Sequence, residues 1–216
     1  MNTEYMTEQE QIELLKNWIK QYSLVILAGM VVAGITIFGW RTWQERQVRI
    51  LSHASAVYDE MLTGRAQNNA DATLVQAQKL FDHYPSTTYG QLAALMLARD
   101  AANKKDYDRA TNMLNWVLDH SKTAAIRQIA RLRLARIQIT ELKPEESIKT
   151  LASIEDETFN GLTYEVRGDA YLAMKDAAKA REAYKQALAS LPNADVIRPL
   201  LQMKYDNLAS TDNSDK

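Results

Sequence analysis

The sequence predicts an all-α protein: a single N-terminal transmembrane helix followed by an α-solenoid of about four helical hairpins plus a capping helix. Three observations carry this. The 216 residues include only 7 Gly and 4 Pro, about 5% of the chain where ordinary usage is roughly 12%, so long helices with short connections are expected. An uncharged apolar run lies near the N-terminus, and small residues recur downstream in two series that share the same steps.

The first element is the apolar run. Residues 21–40 carry no charge, and 23–40 read SLVILAGMVVAGITIFGW, roughly 27 Å as a helix, close to the thickness of bilayer hydrocarbon. Trp18 and Tyr22 precede the run and Trp40 and Trp43 follow it, where amphipathic rings settle at the two headgroup levels. A cleavable signal would have a basic start, a shorter core and a small-residue cleavage site. Here Glu4, Glu8, Glu10 and Glu13 oppose Lys16 and Lys20, and Arg41-Thr42-Trp43 follows, so residues 22–43 read as an uncleaved anchor.

Residues 1–21 form a short leading segment, in which Ile12, Leu14, Leu15, Trp18 and Ile19 fall at the spacing of an interfacial helix. Gly29 and Ala33 form a small-x-x-x-small pair and are the candidate contact for a second transmembrane helix, with plain lipid exposure as the alternative. Lys16 and Lys20 before the run, against Arg41, Arg46 and Arg49 after it, favour the C-terminal part inside the cell. Long domains, however, translocate largely regardless of such counts.

The next elements are repeats. Residues 162–194 resemble a tetratricopeptide repeat, with Tyr164, Gly168, Tyr171, Ala180, Tyr184, Ala187 and Pro192 at the motif spacing and Arg167 departing from the usual Leu. Small residues belong where paired helices come closest. Gly168, Ala135 and Ala98 mark first helices and Ala180, Ser147 and Ala110 mark second helices, both series stepping by 33 and then 37 residues. Residues 91–119 and 128–154 are therefore two further copies, with Pro144 opening a second helix. Residues 51–62 and 72–84 form an upstream hairpin too divergent to align. Residues 198–208 are the cap, 44–209 the whole repeat domain, and 210–216 a disordered tail.

Chemistry is sparse. There is no cysteine, which removes disulfides, Cys-ligated metals and thiol catalysis. The formal net charge of -1 argues against a nucleic-acid partner, which needs a concentrated basic footprint. His53, His83 and His120 lie apart with no metal-binding spacing. Loops 64–71 and 155–161 contain no nucleophile-base or metal-ligand set, so neither enzyme activity nor a cofactor is expected. Glu145-Glu146 and Asp156-Glu157 suit helix starts. Arg127, Arg131, Arg133 and Arg136 are the conspicuous basic run, Arg127 and Arg131 sharing a face while Arg133 points elsewhere; it reads as a solvated helix face or as a site for an acidic partner or lipid headgroups.

In tetratricopeptide arrays, particular first-helix positions line a concave groove. They map to Leu92, Leu95, Arg99 and Asn103, then Ile129, Leu132, Arg136 and Thr140, then Leu162, Glu165 and Asp169. The expectation is an apolar floor with an Arg99/Arg136 rim, suited to hydrophobic protein segments better than to a charged C-terminal tail, or else a groove filled by a neighbouring helix. Leu95→Glu with Leu132→Glu is then expected to abolish capture without unfolding the array.

Taken in order, the acidic start, Gly39-Trp40-Arg41-x-Trp43, Tyr89-Gly90-x-Leu92-Ala93, Leu132-Arg133-Leu134-Ala135-Arg136, Arg167-Gly168-x-Ala170 and Gln202-Met203-Lys204-x-x-Asn207-Leu208 resemble the YfgM family of ancillary SecYEG translocon subunits. The resemblance implies a single-pass bacterial inner-membrane protein with a cytoplasmic N-terminus and a periplasmic helical domain. It also implies association with the translocon and with a PpiD-like periplasmic chaperone, assisting newly exported proteins as they emerge. A scaffold for envelope assembly or stress signalling that touches no secreted client stays open as the alternative.

Overall fold

The computed structural model describes residues 8–191 and 198–211. The first residues of the acidic start, Pro192 and the end of the expected tail lie outside the described residues. Those described form nine α-helices and one 3-10 turn, with no strand. The chain divides after His53 into two units.

The first unit is the N-terminal part of α1 (Glu8–Ala66). Leu24, Val25, Ile35, Phe38 and Trp40 are all exposed along it. The hydroxyls within or beside the apolar run bond back to the helix itself, Thr36 Oγ1 donating to the Val32 carbonyl at 2.8 Å and Thr42 Oγ1 to that of Gly39 at 2.9 Å. Aromatic pairs flank the run, Trp18 with Tyr22 and Trp40 with Trp43.

Among the described residues no single helix is long and apolar enough to cross a membrane. Lys16–Val25 and Leu27–Ala66 meet that requirement only as a pair, bent by 48°. The bend falls inside the apolar run. The candidate for the single transmembrane helix expected from the sequence is this bent pair.

The second unit opens with the end of α1 and continues through α2 (Ala70–His83), α3 (Thr88–Asn103), α4 (Tyr107–His120), α5 (Ala124–Thr140), α6 (Pro144–Ala152), α7 (Asn160–Ala173), α8 (Ala177–Ser190) and α9 (Arg198–Thr211). Helices α3 with α4, α5 with α6 and α7 with α8 pack as hairpins, successive hairpins touch, and α9 lies against α8. Every small position in both series is buried: Ala98, Ala135 and Gly168 on first helices, Ala110, Ser147 and Ala180 on second helices. At Gly168 any Cβ would collide with the Tyr184 ring, so glycine is what lets α7 and α8 close around that tyrosine.

Each hairpin turns through one left-handed residue, Asn68, Lys105, Leu142 or Lys175, at steps of 37, 37 and 33 residues. The divergent upstream hairpin thereby falls into register as α1 and α2. Its equivalents of Ala98 and Ala110 are the larger Met61 and Thr73, both buried, and its close approach has moved to Gly64, whose Cβ would lie 3.2 Å from the Thr73 nitrogen.

The residue after each turn caps the second helix. The Asn69, Asp106 and Asp176 side chains accept from the backbone N–H groups of Ala72, Arg109 and Lys179, satisfying donors a helix start leaves open. Lys143 makes no such bond. There, Pro144 at the first position and Glu145 and Glu146 in the first turn favour the helix start instead.

Four buried clusters run along the array. They centre on Met61 and Leu80, on Leu114 and Val117, on Leu132 and Leu151, and on Tyr184 and Leu201.

Candidate docking face of the array

The positions expected to line the groove lie on α3, α5 and α7, the first helices of successive hairpins, which also touch one another. The structure does not expose them uniformly. Leu92 is 38% exposed, whereas Leu95 is 5% and Leu132 3% exposed; both belong to buried clusters. Ile129 and Leu162 are half-buried, and Arg99, Asn103, Arg136 and Thr140 are exposed. The apolar floor is therefore corrected: its two central leucines pack between helices, leaving Leu92 exposed and Ile129 and Leu162 half-buried.

The third set of positions is occupied by the chain itself. Lys204, projecting from α9, donates to Glu165 Oε1 at 3.0 Å and to Asp169 Oδ1 at 2.8 Å, and the Tyr184 hydroxyl donates to the same Asp169 oxygen at 2.7 Å. Burial opposes the charge on Lys204, but the two carboxylates outweigh it and raise its pKa above the ordinary lysine value. Burial first, and then Asp169, push the Tyr184 hydroxyl far upward. It remains a neutral donor.

Polar contacts in fact join every neighbouring pair of first helices. The Arg65 guanidinium on α1 grips both Asp100 oxygens on α3, Nη2 to Oδ1 at 2.7 Å. The hydrogen bond to Arg65 holds the Asp100 carboxyl below the usual carboxylate range. Arg133 Nη1 on α5 donates to the Leu95 carbonyl on α3 at 3.0 Å. Arg136 Nη2 approaches Glu165 Oε2 on α7 at 3.4 Å, and Lys204 continues the series to α9.

The conspicuous basic run is thus divided. Arg127 donates to the Ser121 carbonyl and Arg131 to Gln128 within their own neighbourhood. Arg133 and Arg136 reach the adjoining first helices. Sequence reasoning missed Arg65 and Asp100, and it named Lys204 only within the family resemblance, without its contacts. Asp100 is repeat-equivalent to Ile137 and Ala170, which carry no charge, so no periodic signal marked it as an ion-pair residue.

Asn103 faces a different feature. With Arg65, Thr73, Asp100, Asp106 and Arg109 it lines an open cavity of about 510 Å³ by the hairpin turns. Gly29 has no other side chain within 4 Å of where its Cβ would lie, so the Gly29 and Ala33 positions stay uncovered. Among the described residues no group of three or more His, Asp or Glu is placed to hold a metal ion.

Stacked helical hairpins packed in register define an array of the tetratricopeptide class. A family profile described as a tetratricopeptide repeat-like domain matches residues 16–210. Three proteins named ancillary SecYEG translocon subunit are similar over nearly their whole lengths. That of Neisseria gonorrhoeae is 30% identical, covering 94% of this chain and 98% of its own. That of Haemophilus influenzae is 28% identical, covering 93% and 97%. That of Escherichia coli is 27% identical, covering 95% and 98%. The chain belongs to the YfgM family of tetratricopeptide repeat-like proteins. In fold alone it is similar to MamA from Desulfovibrio magneticus, with a TM-score of 0.50 at 14% identity, over 74% of this chain and 96% of that one.

Proposed function

We propose that this protein is a membrane-tethered binding module and an ancillary subunit of the SecYEG translocon at the bacterial inner membrane. The observation that carries the reading is similarity to named translocon subunits along the apolar helix and the array together, 93–95% of the chain. Uncovered apolar side chains on α1, hydroxyls satisfied within the helix, and aromatic pairs on both sides support residues 22–43 as a single-pass anchor. In this reading residues 1–21 are cytoplasmic and residues 44–209 periplasmic.

The mechanism is proximity. An anchor beside the channel raises the effective concentration of the first-helix face for a PpiD-like periplasmic chaperone or an emerging chain, so weak contacts suffice. No residue in this reading performs covalent chemistry.

The test is mild-detergent purification of the tagged full-length protein beside a version lacking residues 23–40, with mass spectrometry of what is retained. Translocon subunits and a periplasmic chaperone with the full-length protein are the expected result, with the translocon lost from the truncated one. A full-length sample free of translocon subunits would leave the envelope-scaffold alternative in its place.

A further inference from the structure

We propose that Arg99, Arg133 and Arg136 form a carboxylate-binding site on the first-helix face, and that its occupant is an acidic protein segment carrying an aliphatic residue beside the acidic ones. The inference rests on reading that face as the docking face and names the chemistry of what docks there.

The three arginines lie on α3 and α5, first helices that touch. Arg133 Nη1 bonds the Leu95 carbonyl at 3.0 Å, and Arg99 lies one helical turn beyond Leu95 on the same face of α3. Arg136 follows Arg133 on α5 and turns to Glu165. Charge compensation is incomplete. Among the described residues no carboxylate lies within 4.0 Å of Arg133, and the Arg99 guanidinium has only Asp100, at 3.9 Å.

Glu165 is shared between Arg136 and Lys204, and Asp100 is held in a two-point grip by Arg65. Neither is free to neutralise the centre. Burial, and then repulsion from Arg99 and Arg136, hold the Arg133 pKa below the ordinary arginine value, the direction expected where like charges crowd without a counter-ion.

A planar guanidinium fork matches a carboxylate in two-point contact. Leu92 and Ile129 occupy equivalent positions two turns earlier on α3 and α5, Leu92 exposed and Ile129 half-buried. The surface therefore offers apolar contact followed by excess positive charge, the complement of an aliphatic residue followed by Asp or Glu.

The test uses the full-length protein in a nonionic detergent and a fluorescent twelve-residue peptide with one Leu followed by four Glu, read by anisotropy. Expected are saturable binding, at least tenfold loss when the four Glu become Gln, and at least fivefold loss in Arg99→Gln, whose side chain is 60% exposed and does not hold the fold. Arg133→Gln should lose more, with circular dichroism confirming that it is folded. Equal binding of the Glu and Gln peptides, or undiminished binding by Arg99→Gln, overturns the proposal.

Vesicles containing phosphatidylglycerol that bind in an Arg99-dependent way, with no peptide binding, would overturn it in favour of a lipid surface. Translocon recovery keeps the two readings apart. If the wild type recovers translocon subunits but binds no acidic peptide, this inference falls while the function stands. Arg-dependent peptide binding without translocon recovery gives the reverse.

Discussion

Two side chains show how much a single contact decides here. Gly168 permits the Tyr184 ring to lie against α7, and that ring is itself fixed by its hydroxyl bond to Asp169. Gly168→Ala would gain about 1 kcal/mol of helix propensity, but overpacking costs about 1–3 kcal/mol. A net loss is expected, read as a lower urea midpoint. Asp100 supplies a pH test. Its carboxyl is held below the ordinary aspartate value by Arg65, so the pair stabilises fully above about pH 3.9 and is lost as pH falls through the depressed folded value. Both side chains are partly wet, so Asp100→Asn should cost only about 1 kcal/mol at pH 7. The difference from wild type should vanish in strong acid, as urea midpoints measured across pH would show.

At the scale of elements, the hairpin turn is the unit that repeats. Leu142 is the exception among the four left-handed residues, with φ of 62° and 86% exposure. A branched side chain there costs on the order of 1 kcal/mol, and Asn tolerates the conformation better. Leu142→Asn, copying Asn68 of the first hairpin, should raise the melting temperature by a few degrees in a calorimetric scan.

The same elements explain what could be read in advance. The small-residue series located three hairpins because buried Ala, Ser and Gly leave a periodic trace. Met61 and Thr73 broke that trace, and only the left-handed turn at Asn68 restored the register. Leu95 and Leu132 were placed on the right helices but on an accessible floor. Spacing gives a residue's position around a helix, whereas exposure depends on how deeply the next hairpin covers it. The contacts of Lys204 with Glu165 and Asp169 were not legible for a related reason, since it acts from a cap outside the repeat.

Across the whole array, stability is a chain of neighbour contacts, so damage should remain local. Leu95→Glu and Leu132→Glu would each place a carboxylate in a buried cluster. They should destabilise by several kcal/mol and be seen as lost helicity on mild heating, contrary to the folded, capture-deficient proteins expected from sequence. Leu201 is 1% exposed where α9 covers the last cluster. Leu201→Asp should therefore abolish hydrogen-exchange protection in α7 and α8 first and leave α3 and α4 protected.

The four turn residues have a practical consequence for spectroscopy. Asn68, Lys105, Leu142 and Lys175 are repeat-equivalent and exposed, and the chain contains no cysteine. Pairs of cysteines introduced at these positions would accept spin labels without competing thiols. Distances between adjacent and alternate turns would then act as a vernier for repeat spacing in detergent and in a bilayer, reporting whether a bound segment tightens or opens the stack.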